Sequence, residues 1–140
     1  MIRILLVDDH RVMRAGLESL LSNVNGCEVC GEAANGQEGV EKTLQLKPDL
    51  VLMDISMPVL NGLEATKVIR RLVPETKILI LSMHDSIQIA NEAKLSGADG
   101  YLTKACAVDE LQTAIQKISK TSAAQQSAGQ QETVSGSAAI

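Results

Sequence analysis

The chain has 140 residues, a length that favours one domain able to bury a core without disulfide or metal staples. Its one aromatic residue, Tyr101, leaves Val, Ile, Leu, Met and Ala to build that core and removes the stacking platforms that single-stranded nucleic acid needs. A formal net charge of -4, with no basic stripe, argues against direct nucleic-acid binding by this chain.

Ile2 to Val7 is a short run rich in branched residues and reads as a buried strand. After the polar break Asp8-Asp9-His10, Val12, Met13, Leu17, Leu20 and Leu21 recur at helical spacing. Cys27 to Ala33 is a second strand, Asn35-Gly36 a turn, and Val40, Leu44 and Leu46 mark a second helix. Leu50 to Met53 is a third strand between Pro48 and Pro58, followed by a helix over Leu63 to Leu72. Ile78 to Leu81 follows Pro74 as a fourth strand, and Ile87, Ala90, Ala93, Lys94 and Leu95 form a helix ending at Gly97. Gly100 to Leu102 is a fifth strand, and Val108, Leu111, Ala114, Ile115 and Ile118 form a last stripe. All three prolines fall between elements, where a missing N–H does least damage.

Five βα repeats with near-continuous apolar strands predict an α/β fold, a parallel sheet covered on both faces. Right-handed crossovers then place every βα loop at one edge, where ligands of such folds bind. From Thr121 to Ile140 the chain turns to Ser, Thr, Ala, Gln and Gly, which predicts a polar linker or tail. No apolar run reaches bilayer length, no signal-peptide pattern precedes the acids, and Cys27, Cys30 and Cys106 make an odd count. The expectation is a cytoplasmic protein with reduced thiols and no membrane contact.

Asp8 and Asp9 end the first predicted strand, Asp54 the third and Ser82 the fourth, and Lys104 follows the fifth. The topology brings all five to one edge. Crowded carboxylates repel unless a cation neutralises them, and Mg²⁺ suits one or two carboxylates plus phosphate oxygens. Lys104 would add a positive point charge for a phosphoryl oxygen. A carboxylate in that setting is a plausible nucleophile, since aspartyl-phosphates are an established covalent form.

The stretches Leu6-Val7-Asp8-Asp9-His10, Asp49 to Pro58, Asn61-Gly62, Leu81-Ser82-Met83-His84 and Gly97 to Lys104, in this order and each after its strand, resemble the receiver domains of bacterial two-component response regulators. The resemblance covers residues 1–120 and implies a doubly wound, flavodoxin-like (βα)5 fold with strand order 2-1-3-4-5. It implies that Asp54 accepts a phosphoryl group from a sensor histidine kinase. It also implies that Asp9 ligates Mg²⁺ directly with Asp8 as its partner, that Asp54 joins them, and that Ser56 contributes its backbone carbonyl. Ser82 and Tyr101 then correspond to the switch pair and Lys104 to the phosphate-binding lysine. Such a domain is no enzyme towards other substrates; it catalyses its own phosphorylation and dephosphorylation. Asp9-His10 and Leu81 to His84 resemble the subgroup with a C-terminal LuxR-type helix-turn-helix output domain (NarL/FixJ-like), which would reach DNA through that domain. Residues 121–140 would then begin the linker to an output domain absent here, and a homodimer is a further expectation from the apolar first and last helices.

Two residues depart from the wider family pattern. Met83 stands where a small residue is usual and should narrow access to the phosphoryl site. Ala105 stands where a proline in a cis bond is common, and a cis bond before Ala costs about 2.5–4 kcal/mol. A receiver-like module governed by protein contacts without phosphate is the competing reading. Asp8-Asp9 taken alone is a helix cap, Ser82 alone a strand-end hydroxyl and Lys104 alone a surface lysine. Cys27 and Cys30 have redox spacing but sit in a predicted strand, so neither redox chemistry nor zinc is expected. His10 and His84 read as loop residues.

Overall fold

The computed structural model describes residues 1–55, 60–83, 86–104 and 110–118. The expectations for Ser56, His84, Ala105 and residues 121–140 lie outside these. Strands β1 (Ile2–Val7), β2 (Cys27–Ala33), β3 (Leu50–Asp54), β4 (Lys77–Ser82) and β5 (Gly100–Thr103) alternate with helices α1 (Arg11–Ser22), α2 (Gly36–Leu46), α3 (Gly62–Leu72) and α4 (Ile87–Leu95). A fifth helix, α5, covers 110–118. All strand pairs are parallel, in the order β2-β1-β3-β4-β5. This is the expected doubly wound α/β sheet.

The side-chain alternation of the strands divides the core into two layers. Leu5, Val7, Val51, Met53, Ile78 and Ile80 face one side, with Val40 of α2, Ala65 and Ile69 of α3 and Ala93 of α4. Ile4, Leu6, Leu50, Leu52, Leu79 and Leu81 face the other, with Leu17 and Leu21 of α1 and Leu111 and Ile115 of α5. Burial on both faces is why β1, β3 and β4 read as unbroken apolar runs. Each such side chain contributes about 1.5–3 kcal/mol of burial, so these three strands hold the sheet. The apolar stripes of α1 and α5 are used within this core, while Val12 stays 86% exposed.

Chain order creates the crevice. The chain runs from β1 outwards to β2, then crosses back to pair β3 with the other side of β1. Loops leaving β1 and β3 therefore diverge to opposite faces, and a gap opens at their carboxyl ends. Asp8 and Asp54 stand at that gap.

Candidate functional site

Asp8 lies one residue beyond β1, where its backbone N–H donates to the Ala33 carbonyl at 3.0 Å. Asp54 closes β3, opposite Leu81 of β4. Ser82 closes β4 opposite Thr103, and the next residue of that partner strand is Lys104, whose N–H donates to the Ser82 carbonyl at 2.7 Å. Asp8, Asp54 and Ser82 are each no more than 3% exposed. Lys104 Nζ donates to Asp8 Oδ2 at 2.9 Å and pairs with Asp54 Oδ1 at 3.2 Å. Asp54 Oδ2 is buried with no hydrogen-bond partner among the described residues. The structure thus brings together Asp8, Asp9, Asp54, Ser82 and Lys104 as the sequence reading expected.

One ammonium cannot neutralise this group. Burial pushes the Asp54 carboxyl above its usual range and the Asp8 charge adds to the effect, with Lys104 opposing both. Burial alone would lower Lys104, but the Asp8 hydrogen bond and the Asp54 charge outweigh it and hold the ammonium above its usual range. One ligand atom each from Asp8, Asp9, His10 and Asp54 lies within 4.8 Å of the others. Three carboxylates around one lysine leave excess negative charge, and Asp54 Oδ2 leaves an unmet acceptor. An oxygen-seeking cation fits both.

His10 was expected as a loop residue and not as a metal ligand, and it lies in the loop between β1 and α1. It is the N-cap of α1, and its side chain makes no capping hydrogen bond. Its Nδ1 instead lies 3.1 Å from Asp8 Oδ1 and 3.0 Å from Asp9 Oδ1. The available signal was its position two residues after a strand-end acid, which points its ring back to the same edge.

Supporting residues also escaped sequence reasoning. Arg14, one helical turn into α1, donates from Nη1 to the Asp8 carbonyl and from Nε to Glu32 at 2.9 Å. Asn35, read as a turn residue, and Asn61 are N-caps whose side chains accept from Glu38 and Glu64 N–H. The glycine after Asn61 has a second reason. A Cβ on Gly62 would stand 2.1 Å from the Asp54 carbonyl oxygen, so only glycine lets α3 start against the strand end that carries Asp54.

Tyr101 is half-buried in β5, packed against the layer that holds α2, α3 and α4. It borders a cavity of about 440 Å³ towards α5 and another of about 250 Å³ towards α4. Tyr101 precedes by two residues the register partner of Ser82, so the two expected switch residues stand on adjacent strands. Met83 is 70% exposed. Cys27 and Cys30 are free thiols, and burial pushes both up, away from the reactive thiolate. Among the described residues no helix is long and apolar enough to cross a membrane.

The family described as the response regulator receiver domain matches residues 4–116. The chain belongs to this family. The receiver domain is 41% identical over 118 residues to the response regulator UvrY of Escherichia coli K12, covering 84% of this chain and 54% of that relative. It is 38% identical to the response regulator GacA of Pseudomonas viridiflava, covering 84% of this chain and 55% of GacA. The chain therefore spans about half the length of these curated relatives. A crystal structure of a LuxR-family two-component response regulator from Aurantimonas sp. SI85-9A1 superposes with a TM-score of 0.81 at 39% identity, covering 84% of each chain. The domain is thus a signalling domain of the response-regulator kind with an acidic pocket at Asp8, Asp9 and Asp54.

Proposed function

We propose that this receiver domain takes a phosphoryl group from a sensor histidine kinase onto Asp54, in a Mg²⁺-dependent reaction, and so controls an output domain that regulates transcription. The observation that carries this is Asp54 itself: a buried carboxylate with one oxygen held by Lys104 and the other without a hydrogen-bond partner among the described residues. An Asp54 oxygen would attack phosphorus as the bond from phosphorus to the kinase imidazole nitrogen breaks, its electron pair returning to that nitrogen. Lys104 would follow the charge onto a phosphoryl oxygen, and Ser82 would present its hydroxyl to another. Asp8, Asp9, Asp54 and the Ser56 carbonyl would hold Mg²⁺, which supplies charge neutralisation at the phosphoryl oxygens when bound.

The aspartyl-phosphate adds close to two negative charges at a site already rich in them. Redirecting Ser82 and Lys104 towards it shifts the β4 and β5 ends, and Tyr101 responds next to the two cavities flanking it. A cytoplasmic location follows from partnership with a kinase. The matched stretch covers only 54% of UvrY and 55% of GacA, which supports an output domain beyond the receiver. The test is phosphoryl uptake from a small phosphodonor. Uptake should vanish when Mg²⁺ is chelated and fall at least tenfold in Asp9→Ala; full uptake in chelator rejects the reading.

A further inference from the structure

We propose that His10 is a nitrogen ligand that tilts the acidic site towards first-row transition-metal cations such as Co²⁺, Mn²⁺ and Ni²⁺, over Mg²⁺. This rests on the cation site of the proposed function and concerns which ion it takes. His10 Nδ1 lies 3.1 Å from Asp8 Oδ1 and 3.0 Å from Asp9 Oδ1. Adjacent ligands of an octahedral ion with bonds of about 2.1 Å stand about 3.0 Å apart, so Nδ1 is spaced from each carboxylate oxygen as neighbouring ligands of one ion are. Asp8 Oδ1 is within hydrogen-bond distance of Nδ1 and also accepts the His10 backbone N–H at 2.8 Å, but a ring N–H shared between Asp8 Oδ1 and Asp9 Oδ1 is bent away from both, which weakens each bond. One cation satisfies all three atoms together.

Two further features support the ligand role. The ring is not engaged in capping α1, although His10 occupies the cap position. The fourth member of the cluster, Asp54, offers a buried oxygen with no partner among the described residues. The His10 side chain is 65% exposed, so water can reach the ion and complete its sphere. Chemistry then sets the preference. Mg²⁺ takes oxygen and gains little from imidazole, whereas affinity for nitrogen rises from Mn²⁺ through Co²⁺ to Ni²⁺.

The test is a Co²⁺ titration of the full chain, followed by visible absorption and by displacement with Mg²⁺, with Mg²⁺ affinity measured separately. Mg²⁺-displaceable cobalt is counted, which sets aside cobalt held by the cysteines. His10→Ala should lower the ratio of Co²⁺ to Mg²⁺ affinity at least about tenfold. His10→Gln, which keeps a hydrogen-bonding side chain without the imidazole, should lower it equally. An unchanged ratio in His10→Ala, or a wild-type ratio in His10→Gln, overturns the inference and leaves the phosphoryl-acceptor reading standing. Wild-type protein that binds neither Co²⁺ nor Mg²⁺ overturns both.

Discussion

Asp54 carries a cost in the unphosphorylated, metal-free domain. Burial and the Asp8 charge raise its pKa, so the ionised form is less favourable in the folded chain than in the unfolded one. Below the unfolded carboxylate range Asp54 is protonated in both states and the cost is absent. It grows as pH rises through that range and is complete above the raised folded value. Asp54→Asn removes the charge and should stabilise the metal-free protein at neutral pH, because burial and the Asp8 charge that oppose ionisation no longer act. Urea denaturation across pH checks this: the gain should shrink as pH falls below the raised Asp54 value, and also when Mg²⁺ is added to wild type. These residue identities were legible in the sequence, because Asp8, Asp54, Ser82 and Lys104 each end or follow a strand. The sharing of Lys104 between two carboxylates was not, since it depends on side-chain reach across β3 and β4. For His10 the spacing from Asp8 was legible, but the approach of its ring to both carboxylates was not.

At the scale of elements, two glycines separate close packing from simple backbone freedom. Gly62 starts α3 where a Cβ would meet the Asp54 carbonyl oxygen, whereas a Cβ on Gly16 in α1 would meet nothing within 4 Å. Gly62→Ala should cost about 1–3 kcal/mol by overpacking and weaken Mg²⁺ binding, because the displaced carbonyl belongs to Asp54. Gly16→Ala should gain roughly 0.4–1 kcal/mol with Mg²⁺ affinity unchanged. Thermal melts and Mg²⁺ titrations of both variants read the contrast. The opposite edge of the sheet has its own clamp. Arg70 of α3 donates to the carbonyls of Gly97, Pro74 and Thr76 and to Asp99 Oδ2 at 2.6 Å, and Asp99 Oδ2 also accepts the Ile78 N–H. This ties the end of α3 to the entrances of β4 and β5. Arg70→Ala should lower stability by about 1.5–3 kcal/mol, the worth of a charged hydrogen bond, and leave Mg²⁺ affinity unchanged in the same titration. Asn61-Gly62 stood out in the sequence, but the packing reason for Gly62 did not, and neither did Arg70, because both act through contacts made far along the chain.

At the scale of the whole molecule, the fold was legible because two-sided burial of β1, β3 and β4 writes itself as apolar runs. The five-fold alternation with helices then leaves few topologies. Helix faces were less legible. Ile87 and Leu95 were counted in the α4 stripe but are 83% and 87% exposed, and only Ala93 of that helix is buried. Periodicity marks a face only where a neighbour covers it, and α4 is short and set at the margin of the core. The edge strands were legible in place but not in detail: pairing of β1 with β2 shifts register between Ile4 and Leu5, an irregularity no spacing announced. What unites these scales is a sheet whose carboxyl edge gathers acids around Lys104 and, among the described residues, leaves one Asp54 oxygen without a partner. Locating the modification tests that most directly. The protein should be incubated with a small phosphodonor and Mg²⁺, and its intact mass compared with that of Asp54→Ala. Wild type should gain the mass of one phosphoryl group and Asp54→Ala none; equal gain in both would contradict the account.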